Sequence, residues 1–243
     1  MSRLAVLTDI HGNLPALEAV IADAQGRGCE AFVNLGDILS GPLWPVETAD
    51  LLMALDWPTL AGNHERQLLT EDRAAMGESD AYTFDRLSDR HMAWMESLPQ
   101  TMDYTADIFL CHGTPDSDLV YFLEDVGPDG ACAAAVNLIV ERAGKRGARL
   151  TLCGHTHKPR MVVLPDGRTV ANPGSVGLPA YAASTPYPHV MEGGTPDARY
   201  AIVTEGEVEL IEVPYDFERA AVKAQAAGRG DWAQALRHGH MGR

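Results

Sequence analysis

Five short apolar runs in this chain each break off at a turn carrying aspartate, asparagine or histidine. Residues 4–7 lead into Thr8-Asp9-Ile10-His11, residues 31–35 into Gly36-Asp37, and residues 58–61 into Gly62-Asn63-His64-Glu65. Residues 108–111 lead into His112-Gly113, and residues 150–153 into Gly154-His155-Thr156-His157. Continuous apolar runs of this length suit strands buried on both faces. In an open α/β sheet, ligand sites form just outside the carboxyl ends of such strands. Residues far apart in sequence should therefore converge at one sheet edge. Asp9 and His11 are two apart, as are His155 and His157, so on an extended segment each pair points to one side.

Between the runs the pattern alternates with helix. Leu14, Leu17, Val20, Ile21 and Ala24 recur at helical spacing, with Asn13 placed to cap them and Pro15 in the first turn. Residues 65–98 read as largely helical and 131–145 as an alanine-rich helix. Pro165-Asp166-Gly167 and Glu205-Gly206-Glu207 each sit between two apolar runs and signal hairpins. Residues 173–196 are rich in proline, glycine, alanine and tyrosine and predict a long loop, a kind that often serves binding. Residues 216–243 predict a closing helix. The expectation is one domain over 1–243, with a mostly helical insertion at 65–105 and a long loop at 173–198 that could act as a lid.

The net charge of −15 opposes binding of a nucleic acid duplex, but admits a small phosphorylated substrate if the site itself is positive. Cys29, Cys111, Cys132 and Cys153 show no CxxC spacing and predict buried free thiols. Cys111 and Cys153, each next to a histidine at a strand end, should face the core. No run approaches the length of a membrane span, and the first residues lack the pattern of a signal peptide. No membrane partner and a cytoplasmic location are the expectations.

Taken in this order, the five turns resemble those of the calcineurin-like metallophosphoesterases over roughly residues 4–177. Asn172-Pro173-Gly174-Ser175-Val176-Gly177 and Val213-Pro214-Tyr215-Asp216 resemble the small bacterial members, including a diadenosine-tetraphosphatase-like group. The resemblance implies an α/β fold, a four-layer αββα sandwich with the site at one edge, here with a C-terminal β-hairpin and helix. It implies Asp9, His11 and His157 on one metal, Asn63, His112 and His155 on a second, and Asp37 bridging them. His64 matches the catalytic histidine, which is not a ligand. Oxygen and imidazole donors without thiolate suit two divalent ions, manganese first, with iron, zinc or nickel as alternatives. Two such ions, two carboxylates and a hydroxide would leave the site about one unit positive.

The implied activity is hydrolysis of small phosphodiesters, nucleotides or dinucleoside polyphosphates by hydroxide formed on the metals. A protein phosphatase and a non-catalytic metal-binding scaffold are the alternatives, and a homo-oligomer stays open. Members acting on proteins carry an aspartate and an arginine where this chain has Ser40 and Gly41, and an arginine at Ala61. That aspartate orients the catalytic histidine, so what holds His64 stays open. Arg66, Lys158 and Arg160 read as solvated charge or phosphate contacts, and His189, His238 and His240 as surface residues. The segment 178–198, with Tyr181 and Tyr187, reads as a base-stacking lid, a surface loop or an oligomer contact.

Overall fold

The computed structural model describes residues 3–242; Met1, Ser2 and Arg243, the ends of the expected domain, lie outside the described residues. The chain opens with β1 (Arg3–Leu7), α1 (Leu14–Gly26), β2 (Cys29–Asn34) and α2 (Pro45–Leu55). Asn13 caps α1, its side chain accepting the Ala16 N–H, and Pro15 lies in the first turn as its spacing predicts. Three short helices follow: α3 (Asn63–Thr70), α4 (Glu78–Phe84) and α5 (Asp89–Glu96). Next come β3 (Thr101–Asp103), β4 (Ile108–Cys111), β5 (Glu124–Gly127), β6 (Gly130–Ala133), α6 (Val136–Ala143) and β7 (Leu150–Leu152). β8 (Arg160–Val163), β9 (Thr169–Asn172), β10 (Ala180–Ala183) and β11 (His189–Glu192) lead to β12 (Ala198–Thr204) and β13 (Glu207–Val213). Two helices close the chain, α7 (Phe217–Ala226) and α8 (Gly230–His238).

Two sheets stack, one ordered β13-β12-β1-β2 and the other β3-β4-β7-β9-β8. Side-chain alternation dictates the stacking. Leu4 and Val6 of β1 face the second sheet, in a core with Val33, Leu35, Leu110, Leu150 and Leu152. Ala5 and Leu7 face the other way, onto Leu17 and Val20 of α1. On the far side of the second sheet, Phe109, Cys111, Cys153 and Val170 pack on Ile139 and Ala143 of α6. Helix, sheet, sheet and helix make the four-layer αββα sandwich. Both β1–β2 and β4–β7–β9 are parallel, so their carboxyl ends emerge together.

Several elements differ from the sequence expectation. Residues 58–61 form no strand: one parallel bridge joins Thr59 to Asn34, and the Ala61 N–H then turns away to the Pro99 carbonyl. The alanine-rich stretch 131–145 is helical only from Val136, because Gly130, at φ 102°, turns β5 back into β6. Where a long loop is expected at 173–198, β10 and β11 pair as a ribbon, Ala180 opposite Glu192 and Ala183 opposite His189. The closing helix is two helices, split around Gly228 at φ 81°. Cys29, Cys111 and Cys153 are buried free thiols, whereas Cys132 lies exposed on β6. Among the described residues no helix is long and apolar enough to cross a membrane.

The loop after β9 crosses the loop after β1 without room for a side chain. A Cβ on Gly177 would sit 1.7 Å from the Ile10 carbonyl oxygen and 2.9 Å from the Asn13 Cβ. Gly177→Ala is expected to lose about 1–3 kcal/mol, the usual range for overpacking. That corresponds to a melting temperature lower by about 2–12 °C. Gly26→Ala, where nothing lies within 4 Å, is the control, and equal melting curves for the two variants would refute this.

Candidate metal centre

The parallel ladder does not stop where β1 and β2 do. The N–H groups of Asp9, His11 and Gly12 donate to the carbonyls of Gly36, Asp37 and Ile38 at 3.0, 3.0 and 2.8 Å. Glu65, fully buried, accepts the N–H groups of Asp37, Ile38 and Gly62, each at 2.8 Å, and so ties the loop after β2 to the start of α3. Asn172 does the same across the second sheet, donating to the Gly154 carbonyl at 2.6 Å and the Thr156 hydroxyl at 3.1 Å. Held this way, Asp9, His11, Asp37, His155 and His157 all adopt positive φ, between 52° and 69°. Such backbone costs energy for non-glycine residues and concentrates at functional sites.

The left-handed turns change the geometry expected from spacing. Asp9 and His11 do face one place, joined by His157. His155, two residues before His157, instead turns toward Asp37 and His112. Two buried or half-buried triads result, Asp9-His11-His157 and Asp37-His112-His155, each with ligand-type atoms within 4.8 Å of one another. In the first, His11 Nε2 lies 3.1 Å from His157 Nε2, and His157 Nε2 lies 3.4 Å from Asp9 Oδ1. In the second, His112 Nε2 lies 3.0 Å from Asp37 Oδ2. The two are linked where the His155 N–H donates to the Asp9 carboxylate at 3.1 Å.

These donor sets fit cations. Each imidazole meets a backbone carbonyl with its other nitrogen: His11 Nδ1 at Ser40 (2.7 Å), His157 Nδ1 at Leu178 (2.6 Å), His112 Nδ1 at Leu35 (2.9 Å) and His155 Nε2 at Leu119 (3.1 Å). A carbonyl can only accept, so each of those nitrogens carries the proton, and a neutral ring then turns a lone pair inward. The Asn63 side-chain oxygen points the same way, with its amide nitrogen 3.2 Å from Gln67 Oε1. Turned over, that nitrogen would donate to His155 Nδ1 (2.9 Å), His112 Nε2 (3.2 Å) and Asp37 Oδ2 (3.2 Å). With oxygen inward and the rings neutral, Asn63, Asp37, His112 and His155 turn four acceptors toward one another, an arrangement that a cation would stabilise.

Without a cation the charges are frustrated. Burial, reinforced by neighbouring imidazoles, pushes His11 down to about 3 and His155 down to about 4. Burial also opposes charge on His112, but Asp37 outweighs it and draws the ring up to about 10. Burial would raise Asp9 and Asp37; the surrounding imidazoles outweigh it and hold both carboxyls low.

His64 stands beside this cage and belongs to neither triad. Its N–H donates to Asp37 Oδ1 at 3.0 Å, and its ring Nδ1 meets Asp80 Oδ1 at 2.8 Å. Asp80 lies on α4 and is buried. A cavity of about 440 Å³ opens over His11, Asp37, His64, His155 and His157.

A family model, the calcineurin-like phosphoesterase superfamily domain, matches residues 2–191. The chain belongs to that superfamily. A metallophosphoesterase from Sphaerobacter thermophilus is 25% identical and superposes with a TM-score of 0.74, covering 98% of this chain and 100% of the other. A hypothetical protein from Pyrococcus horikoshii shares the fold at 21% identity and a TM-score of 0.75, with 100% of both chains covered. An uncharacterized protein of Methanocaldococcus jannaschii is 24% identical over 247 residues, 95% of each chain. The chain is thus a phosphoesterase-type hydrolase with two candidate metal clusters.

In this phosphoesterase, His64 is held not from position 40 but by Asp80, which reaches it from a different element. Nothing in the spacing of Glu78-Ser79-Asp80 marks it; only the folding of α4 onto the loop after β2 does, through Thr83 Oγ1 and the Gly41 N–H at 3.1 Å. Arg66, Lys158 and Arg160 follow the motifs, but Arg66 is held bidentately by Asp118 at 2.6 and 3.1 Å, and Arg160 turns to the Leu123 carbonyl and Glu124. His238 and His240 are exposed, whereas His189 is buried, its Nε2 2.9 Å from the Tyr121 hydroxyl.

Burial works against the His64 imidazolium, but Asp37 and Asp80 outweigh it and raise the ring to about 9. A raised imidazole stabilises the fold below its unfolded value near 6.5, and that contribution fades as pH climbs through about 9. In metal-free protein, Asp80→Asn should move the His64 titration down by about 1–3 pH units, read by imidazole NMR. Its melting deficit relative to the parent should shrink above pH 9; a deficit constant from pH 6 to 10 would show that Asp80 does not act on His64 through charge.

Proposed function

We propose that this chain hydrolyses small phosphate esters, with phosphodiesters and nucleotides as the substrate class and two divalent ions, manganese first, as cofactors. Asp9, His11 and His157 would hold one ion, and Asn63, His112 and His155 the other, with Asp37 between them. When bound, two such ions lower the pKa of coordinated water toward neutrality and offset the charge of the phosphate.

The chain's own residues supply the rest. His64, pinned through Nδ1 by Asp80, faces the cavity that opens over the cage, where it can give a proton to the departing oxygen. The carbonyls behind the ligand imidazoles fix their rotation, so the oxygen and nitrogen donors are oriented before a cation arrives. The observation that carries the reading is the pairing of a non-ligand histidine with a buried carboxylate beside an otherwise complete cage.

A metal-reconstituted screen of a monoester, a diester, cyclic nucleotides and dinucleoside polyphosphates tests it. His64→Ala should keep its metal content and lose about 10²–10⁴ in rate. Asp37→Ala should instead lose metal, measured by elemental analysis after dialysis. Full activity in His64→Ala would remove that residue from the chemistry, and undiminished metal in Asp37→Ala would break the proposed cage.

A further inference from the structure

The cavity over the cage has two unlike halves. Its inner half is the candidate ligand set and His64. Its outer half is built by β10, the loop before β5, and α8 with the segments flanking it, and α8 lies beyond the residues that match the family model. Three aromatic rings from these segments sit against the inner histidines. Trp232 meets His11 edge-on at 5.9 Å, Tyr181 meets His157 at 4.7 Å, and Tyr121 meets His155 at 5.0 Å. The backbone is cut away to receive the tryptophan: a Cβ on Gly41 would lie 2.5 Å from its ring.

Most side-chain polar groups in the outer half are already occupied, while Ser40 Oγ, also in the lining, is buried without a partner. The Tyr181 hydroxyl lies 3.0 Å from that of Tyr121, which donates to His189 Nε2 at 2.9 Å. Arg229, the one arginine or lysine among the described lining residues, is closed by Asp231 at 2.6 and 2.9 Å, by Ser79 at 2.8 Å and by Glu78 at 3.4 Å. Leu178, Ala180, Ala182, Ala183 and Met241 add an apolar part of the lining. A surface with most of its side-chain donors and acceptors spent gains little from a charged or strongly polar occupant, because either would lose water with little compensation. It gains from a flat apolar one, since aromatic rings offer face and edge contacts beyond simple burial.

We propose that the outer half is a subsite for an uncharged, planar ester substituent, so that the substrate carries one phosphate on the cage and an aromatic group against Trp232 and Tyr181. This rests on the phosphoesterase reading and narrows its substrate class: beyond the cage and His64, a polyphosphate chain would find no free arginine or lysine among the described lining residues. Arg229 serves to hold α8 against α4, where Ser79 lies, rather than to grip phosphate.

Binding to the manganese-loaded protein, measured by calorimetry with methylphosphonate, phenylphosphonate and 4-carboxyphenylphosphonate, tests this without requiring turnover. Phenylphosphonate should bind at least about tenfold tighter than methylphosphonate, and the carboxylated ring should lose that gain. Trp232→Ala should collapse the phenyl-to-methyl ratio. Because Trp232 also packs in the core, Ala182→Leu, at an exposed position of β10 that lines the cavity, provides a second variant that should collapse the same ratio. Equal affinity for the methyl and phenyl probes, tighter binding of the carboxylated ring through Arg229, or a ratio unchanged in both variants would overturn the subsite. Aryl preference in a protein that hydrolyses no ester would keep the subsite and overturn the catalytic reading; turnover without aryl preference would do the reverse.

Discussion

Everything at this site turns on a backbone carbonyl behind each of four imidazoles. Ser40, Leu35, Leu119 and Leu178 each accept from one ring nitrogen and thereby fix which nitrogen is left to face inward. Hydrogen bonds this directional also fix the rotation of the ring. Burial, reinforced by the neighbouring imidazoles, makes His11 and His155 bases too weak to hold a proton near neutrality, while Asp37 makes His112 one that keeps it. A divalent ion removes the conflict for all of them at once, which is why the donor set reads as a cage rather than as a network of ordinary hydrogen bonds.

Keeping such a cage open requires a frame that does not relax. The frame here is the continued β1–β2 ladder, the Glu65 carboxylate spanning three N–H groups, and the Asn172 amide spanning two loops. Each lies one layer behind a candidate ligand. The five left-handed residues show how hard the frame works: at about 1–3 kcal/mol for each strained residue, their conformations persist only because the surrounding bonds over-determine them. Aspartate and histidine tolerate that region better than branched residues, so the ligand chemistry and the backbone requirement favour the same amino acids.

Those turns are also what made the site legible in sequence. Apolar runs ending in Asp9, Asp37, His112 and His155 mark strands whose ends must meet, and all of the residues singled out there do lie around the two triads or beside them. What the spacing could not convey is the sign of φ. An extended Gly-His-Thr-His would aim both histidines one way; the left-handed turns send His155 and His157 to different triads. Asp80 was illegible for a different reason. Its position depends on how three short helices fold back on the loop after β2, and nothing local in Glu78-Ser79-Asp80 encodes a contact sixteen residues from its partner. The ribbon at 180–192 was masked by its proline and alanine content, which lowers strand propensity that tertiary packing then overrides.

The same division separates chemistry from selectivity. Most of the cage and frame comes from strand ends that the two parallel stretches of sheet bring together, with Asn63, His64 and Glu65 added from the start of α3. Asp80, Tyr181 and Trp232 come from three segments whose placement is set by packing: α4, the β10–β11 ribbon and α8. Arg229 fastens the last of these to the first by donating to Ser79 on α4, so the group that orients His64 and the ring that walls the cavity are mechanically joined. The Asp80 carboxylate beside His64 and the Trp232 wall of the cavity are thus tied by one guanidinium group, whose charge is spent in making that joint.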